Sequence, residues 1–189
     1  KEDWDRYQKL RKSKSDPKAL FYYDGNSNRY FAEDDNGKKT DDYLQILSPT
    51  HKLLKDANDA GDWNDCSYVI LYCIHTRKIL FCGDAGMGTI NHLMELHTDK
   101  VANLDVLIAP HHGRDSNKDF KFLDVMKPKL TLMGNAQCKF LAYDEWNNRN
   151  LFHITNNQAG NVLMEIGSDQ ILHVYVSNKS FADKLELDF

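Results

Sequence analysis

Hydrophobic and polar positions follow two periods along this chain. Near the start, Trp4, Tyr7 and Leu10 recur every third residue, which predicts a short amphipathic helix over residues 2 to 12. A polar stretch from Ser13 to Lys18, holding Pro17, reads as a loop. Aromatic runs at Phe21-Tyr22-Tyr23 and Tyr30-Phe31 flank Asp24-Gly25-Asn26-Ser27-Asn28, which predicts a β-hairpin. Residues 32 to 42 are acidic, polar and expected at the surface. A strand over Tyr43 to Leu47 and a helix over Leu53 to Ala60, stopped by Gly61, follow.

The pattern then becomes more apolar. Ser67 to His75 and Lys78 to Cys82 predict two buried strands joined by a tight turn. Thr89 to His97 predicts a helix whose apolar face carries Ile90, Leu93, Met94 and Leu96. Leu104 to Ala109 is nearly all apolar, as a strand covered on both faces is. Phe120, Phe122, Leu123 and Met126 predict a helix closed before Pro128. Leu130 to Met133 reads as a strand and Asp144 to Asn148 as a helix. Phe152 to Ile154, Asn161 to Ile166 and Ile171 to Val176 read as closing strands. The alternation predicts a layered α/β (α+β) architecture with a hairpin-rich sheet, as a single domain spanning residues 1–189.

Composition narrows the classes. With 41% hydrophobic and 28% charged residues the chain has the balance of a globular protein. No apolar run approaches the ~20 residues of a membrane-spanning helix, and no signal segment stands near the start. The net charge of -4 gives no overall basic footprint for nucleic acid, so nucleic-acid binding would need a local patch. Four cysteines at positions 66, 73, 82 and 138 form no Cys-x-x-Cys pair, which fits a reduced, cytoplasmic setting. Lys1 is not an initiator methionine, and the chain reads as a piece of a longer protein trimmed at its start.

Two motifs carry candidate chemistry. In Phe81-Cys82-Gly83-Asp84-Ala85-Gly86 an apolar strand runs into a loop before a helix, placing Asp84 at a strand's carboxyl end. A plain role for Asp84 is to cap that helix or hold the turn. In Ile108-Ala109-Pro110-His111-His112-Gly113-Arg114-Asp115-Ser116 a buried strand again ends in a polar loop, with paired histidines that point in different directions. If the two strands are neighbours, their ends converge, and an aspartate with a histidine there suits Zn²⁺ or Mn²⁺. His92 and His97 are five residues apart, so on one helix they face apart, and both read as surface residues. His75 and His173 read as packing or surface residues.

Further pieces stand around these motifs: Asn64-Asp65-Cys66-Ser67 entering a strand, Asp105-Val106-Leu107-Ile108, Lys127-Pro128-Lys129, and Ile154-Thr155-Asn156-Asn157 with Gly160-Asn161-Val162. In this order, over roughly Tyr43 to Val176, they resemble the later half of a metallo-β-lactamase-fold hydrolase. The similar branch is the hydrolase domain of the DNA-uptake competence protein (ComEC type). The resemblance implies an αββα sandwich, of which this chain is the later part, with one or two divalent metals, zinc or manganese, at one edge of the sheets. It implies Asp84 as a catalytic, metal-bridging carboxylate and His111, with His112 as runner-up, as the histidine of the second metal. Arg114 and Ser116 become candidate substrate contacts, and a small-molecule phosphodiester or other ester the implied substrate.

Departures from the family pattern accompany the likeness. The family's His-x-His-x-Asp-His motif is absent, as no two histidines here stand at His-x-His spacing, so the missing upstream half of the same fold is the expected partner. Asn64 stands where many relatives carry another metal histidine, and Arg114 replaces the serine of His-His-Gly-Ser. Ligand counting within this chain then reaches only Asp84 and one histidine, too few for tight metal binding or turnover by the chain alone. The competing reading is a metal-free binding or regulatory module that keeps the fold. A nuclease, the third, would need a basic groove.

Overall fold

The computed structural model describes residues 1–116 and 118–183. Six strands pair in one sheet in the order in which they occur: β1 (Asp42–Ser48), β2 (Val69–Ile74), β3 (Arg77–Phe81), β4 (Val106–Ile108), β5 (Leu130–Met133) and β6 (His153–Thr155). β1 with β2 and β2 with β3 pair antiparallel, and β3 to β6 run parallel. Parallel neighbours need crossovers, and each crossover here carries helix. Two further strands, β7 (Val162–Ile166) and β8 (Leu172–Val176), form a separate antiparallel hairpin.

The helices are α1 (Glu2–Arg11), α2 (His51–Ala60), α3 (Met87–Leu96), α4 (Thr98–Val101), α5 (Phe122–Met126), α6 (Tyr143–Asn147), α7 (Asn156–Ala159) and α8 (Lys179–Ala182). Strand alternation sorts the core into two layers. Leu80, Leu107 and Met133 face one way, onto Ile90 and Leu93 of α3, Phe122, Leu123 and Met126 of α5, and Trp146 of α6. Ile79, Val106 and Leu130 face the other way, with the inner side of the β7–β8 hairpin packed on them. The protein is thus a mixed α/β fold whose central sheet has helices on one face and a small second sheet on the other. Leu107, in a strand flanked on both sides, is fully buried, as its all-apolar run predicts.

The structure departs from the sequence pattern in the first thirty residues and at the end of α3. The aromatic runs around Asp24 form no hairpin. The Asn26 side chain takes the Tyr23 N–H and the Asn28 side chain takes the Tyr30 N–H, so these backbone groups bond locally and no ladder forms. The backbone N–H of Asp24 and Gly25 donate to Pro49 and Ile46, pinning the segment beside β1. Helix α1 forms as its periodicity predicts, yet it buries no residue, and its Trp4–Tyr7 pair stacks at the surface. Leu96 is 67% exposed because His97, one residue further round, takes the inward place at that turn.

Candidate functional site at the carboxyl edge of the sheet

Strand β3 delivers Cys82 into the core, and Gly83 (φ 54°) turns the chain so that Asp84 emerges at the sheet's carboxyl edge. Burial pushes the Cys82 thiol up to about 12, so it acts as a small apolar side chain. The loop is held from below by Asn64-Asp65-Cys66-Ser67. The Asp84 N–H donates to Ser67 Oγ at 3.1 Å. The Asp65 carboxylate accepts from the Gly88 N–H at 3.2 Å and the Thr89 N–H at 2.8 Å, capping α3. A Cβ on Gly86 or Gly88 would stand 2.9 or 2.6 Å from that carboxylate, which explains glycine at both places. With Asp65 as the cap, Asp84 points to the surface, its side chain 52% exposed.

Strand β4 ends at the neighbouring position, and its loop is tied to the first: the His111 N–H donates to the Gly83 carbonyl at 2.8 Å. His111 (φ 51°, ψ 46°) and His112 (φ 61°, ψ 11°) both take the left-handed conformation, followed by Gly113 at φ 82°. That region costs an ordinary residue roughly 1–2 kcal/mol, and such strain gathers at functional sites. It splays the two rings, whose centroids are 6.2 Å apart. His112 Nε2 lies 3.4 Å from Asp84 Oδ1. Its ring rests on the bare α-carbon of Gly134, just after β5, where a Cβ would collide with it. His111 turns aside, with Nδ1 3.3 Å from Ser116 Oγ. Burial first, then the nearby Lys118 and Arg114 charges, hold the His111 pKa below its ordinary value, against the pull of Asp84. This favours the neutral ring with a free lone pair. The Arg114 guanidinium lies over the Phe140 ring, 4.9 Å from its centroid.

Two ligands of one tetrahedral zinc, each about 2.0–2.1 Å from it, stand about 3.3 Å apart. The Asp84–His112 separation matches that spacing, and a carboxylate with an imidazole is a zinc- or manganese-competent pair. The structure thus brings Asp84, His111 and His112 to one edge and places Arg114 and Ser116 in the same loop.

A second cluster was not legible in the sequence. Among the described residues, one group of three metal-competent side chains has all its ligand atoms within 4.8 Å of one another, and it is Asp24, His92 and His97. His92 Nε2 and His97 Nε2 each lie 2.9 Å from Asp24 Oδ2. The side chains of Asp24, His92 and His97 are only 17%, 13% and 10% exposed, and His97 Nδ1 is buried without a partner. The expectation that His92 and His97 are surface residues facing apart is therefore overturned. His97 lies just beyond α3 with φ -128° and ψ 16°, so the helical angle between the two does not apply. This largely buried group could hold a metal ion, so ligand counting that stops at Asp84 and one histidine is incomplete. His75, at the exposed β2–β3 turn, and His173, on the outer side of β8, are surface residues.

No protein-family model matches the chain, and no curated protein matches it significantly. Among the described residues no helix is long and apolar enough to cross a membrane.

Proposed function

We propose that this chain is the later part of a metal-dependent hydrolase of the metallo-β-lactamase type, acting on a small-molecule phosphodiester or other ester. The observation that carries the reading is the meeting of Asp84, after β3, with His112, after β4, at 3.4 Å on the carboxyl edge of parallel neighbours. The β7–β8 hairpin on the far face supports it, as a portion of the second sheet that an αββα sandwich would have. Asp84 and His112 would hold a zinc or manganese ion, with His111 alongside, and the rest of the ligand set would come from an upstream half carrying His-x-His-x-Asp-His. Such an ion, when bound, polarises the ester oxygen and lowers the pKa of a bound water. Asp84 supplies the negative charge that offsets the cation. Arg114, braced on Phe140, offers a two-pronged donor to a phosphate or carboxylate, and Ser116 orients the His111 ring.

The test compares the chain alone with the chain joined to the segment that precedes it in its full-length protein, using bis-nitrophenyl phosphate with Zn²⁺ or Mn²⁺. The joined protein is expected to turn over and the chain alone is not. Asp84→Ala should abolish turnover and His112→Ala should reduce it at least tenfold. Unimpaired turnover by Asp84→Ala overturns the assignment. A folded, metal-free and inactive joined protein favours the binding-module reading instead.

A further inference from the structure

We propose that Asp24, His92 and His97 form a zinc site of their own, separate from the strand-edge site, which fastens the segment around residues 20–31 to the far end of α3. The inference stands on this cluster alone and does not depend on the hydrolase reading.

The donor set comes first. Two borderline imidazole nitrogens with one carboxylate oxygen suit zinc better than Mg²⁺ and Ca²⁺, which take oxygen ligands throughout. Three protein ligands leave a fourth tetrahedral position for water, which the residual exposure of the cluster admits.

Geometry comes second. Asp24 Oδ2 lies 2.9 Å from both Nε2 atoms and all three ligand atoms lie within 4.8 Å of one another, so small side-chain adjustments bring them to the separations of about 3.3 Å that one tetrahedral ion needs. The three are also held in advance. Helix α3 fixes His92, and the His97 N–H donates to the Leu93 carbonyl at 2.9 Å, closing the helix. Asp24 is held by its N–H to the Pro49 carbonyl at 2.9 Å and by the next N–H to Ile46 at 3.2 Å. A cation therefore meets a nearly assembled site, which lowers the ordering cost of binding.

Location separates this site from the other. The ten residues of α3 rise about 15 Å, with Asp84 leading into one end and His97 closing the other. The segment carrying Asp24 has neither strand nor helix between Lys12 and Asn28, and an ion bridging it to residues 92 and 97 would close a long loop. Without an ion, both Nε2 atoms share one carboxylate oxygen. With an ion, their lone pairs and that oxygen converge on it.

The test uses the whole chain with Asp84→Ala and His112→Ala together, which removes the strand-edge site from the readout. After stripping by a chelator, the protein is titrated with Zn²⁺ against a chromophoric competitor, and zinc is counted by native mass spectrometry. One zinc per chain is expected, with a rise of roughly 5–10 °C in the unfolding midpoint at a hundredfold excess over Kd. Co²⁺ in its place should give the intense visible bands of a tetrahedral site. Adding His92→Gln and His97→Gln should remove this zinc and the thermal shift, while far-UV circular dichroism stays unchanged. If that variant fails to fold, Asp24→Asn, which keeps the side-chain shape, gives the same readout. Zinc stoichiometry and affinity unchanged by these substitutions overturn the proposal. So does the absence of zinc binding at micromolar concentration, which would make the cluster a hydrogen-bonded trio only. Neither result bears on Asp84 and His112, so failure here and failure of the hydrolase reading are told apart.

Discussion

At the scale of single residues, the left-handed pair His111–His112 trades stability for position. Both rings emerge from backbone that only glycine adopts freely, and the gain is that His112 meets Asp84 while His111 meets Ser116. Replacing His111 by glycine keeps its N–H bond to Gly83 and removes the strain. His111→Gly is expected to raise unfolding free energy by about 1 kcal/mol, read in urea, the relief being partly offset by glycine's greater freedom when unfolded. A loss of stability would show that the His111 side chain stabilises more than its backbone costs. The positive φ values were invisible in the sequence, where His-His-Gly gives only the type of chemistry. The place of Asp84 at a strand's carboxyl end was legible because an apolar strand runs straight into it, whereas the meeting of the two loops depended on β3 and β4 being neighbours, which comes from the structure. The Asp24–His92–His97 cluster was not: its carboxylate comes from a loop far away in sequence, and one histidine leaves the helix whose periodicity was used to separate them.

At the scale of elements, the run Asn64-Asp65-Cys66-Ser67 acts as a clasp under the Asp84 loop. One carboxylate caps α3 and one hydroxyl takes the Asp84 N–H, so helix start and loop are set together. Asp65→Ala leaves those two helix N–H groups without their cap. It is expected to cost about 1–2 kcal/mol, the upper part of the usual range for a lost cap, measured by thermal or urea unfolding. Asp65→Asn keeps one accepting oxygen and sets its NH2 against the other N–H, so it should recover only part of the loss. The strands were legible because their apolar runs are buried on one or both faces. The hairpin expected around Asp24 failed because asparagine side chains satisfied the turn's own backbone, and aromatic content alone does not make a ladder. Helix α1 shows the converse: its period was legible, but a period does not say whether anything lies beneath the face.

At the scale of the whole molecule, the two edges of the sheet are used differently. The carboxyl edge gathers Asp84 and the two histidines. The amino edge gathers an ionic network around Asp105, just before β4. Its carboxylate accepts from Arg77 at 2.8 Å, the Lys78 N–H at 2.9 Å and Lys129 at 3.0 Å, joining the starts of three strands. Burial pushes the Asp105 pKa up, but these hydrogen bonds and charges outweigh it and hold the value below the ordinary 3.8. A depressed folded value means that the stabilisation is complete above the unfolded pKa. It is lost as pH falls below about 4 and through the folded value. Asp105→Asn is expected to cost about 3 kcal/mol at neutral pH, the low end for breaking a buried pair, because Lys129 can turn to solvent. The gap between the two proteins should narrow as the pH of the urea titration is lowered below about 4. A gap independent of pH would mean that the amide's shape, and not the charge, accounts for the loss.

The order of the main sheet also bears on how the chain acquires its shape. Every strand from β1 to β6 lies beside the strands that precede and follow it in sequence, and none is inserted between two already paired. The tight β2–β3 turn brings its strands together with almost no loop to close, so it offers the cheapest nucleus. From that hairpin, pairing can spread to β1 on one side and to β4, β5 and β6 in turn on the other. Each addition closes a single connection, an antiparallel loop for β1 and a crossover for each of β4, β5 and β6. Because each new strand adds beside one already placed, no pairing has to be opened to admit it, although the parallel pairs still join residues well apart in sequence and close more slowly than the hairpin. A chain emerging from synthesis could build this sheet in step with its own elongation.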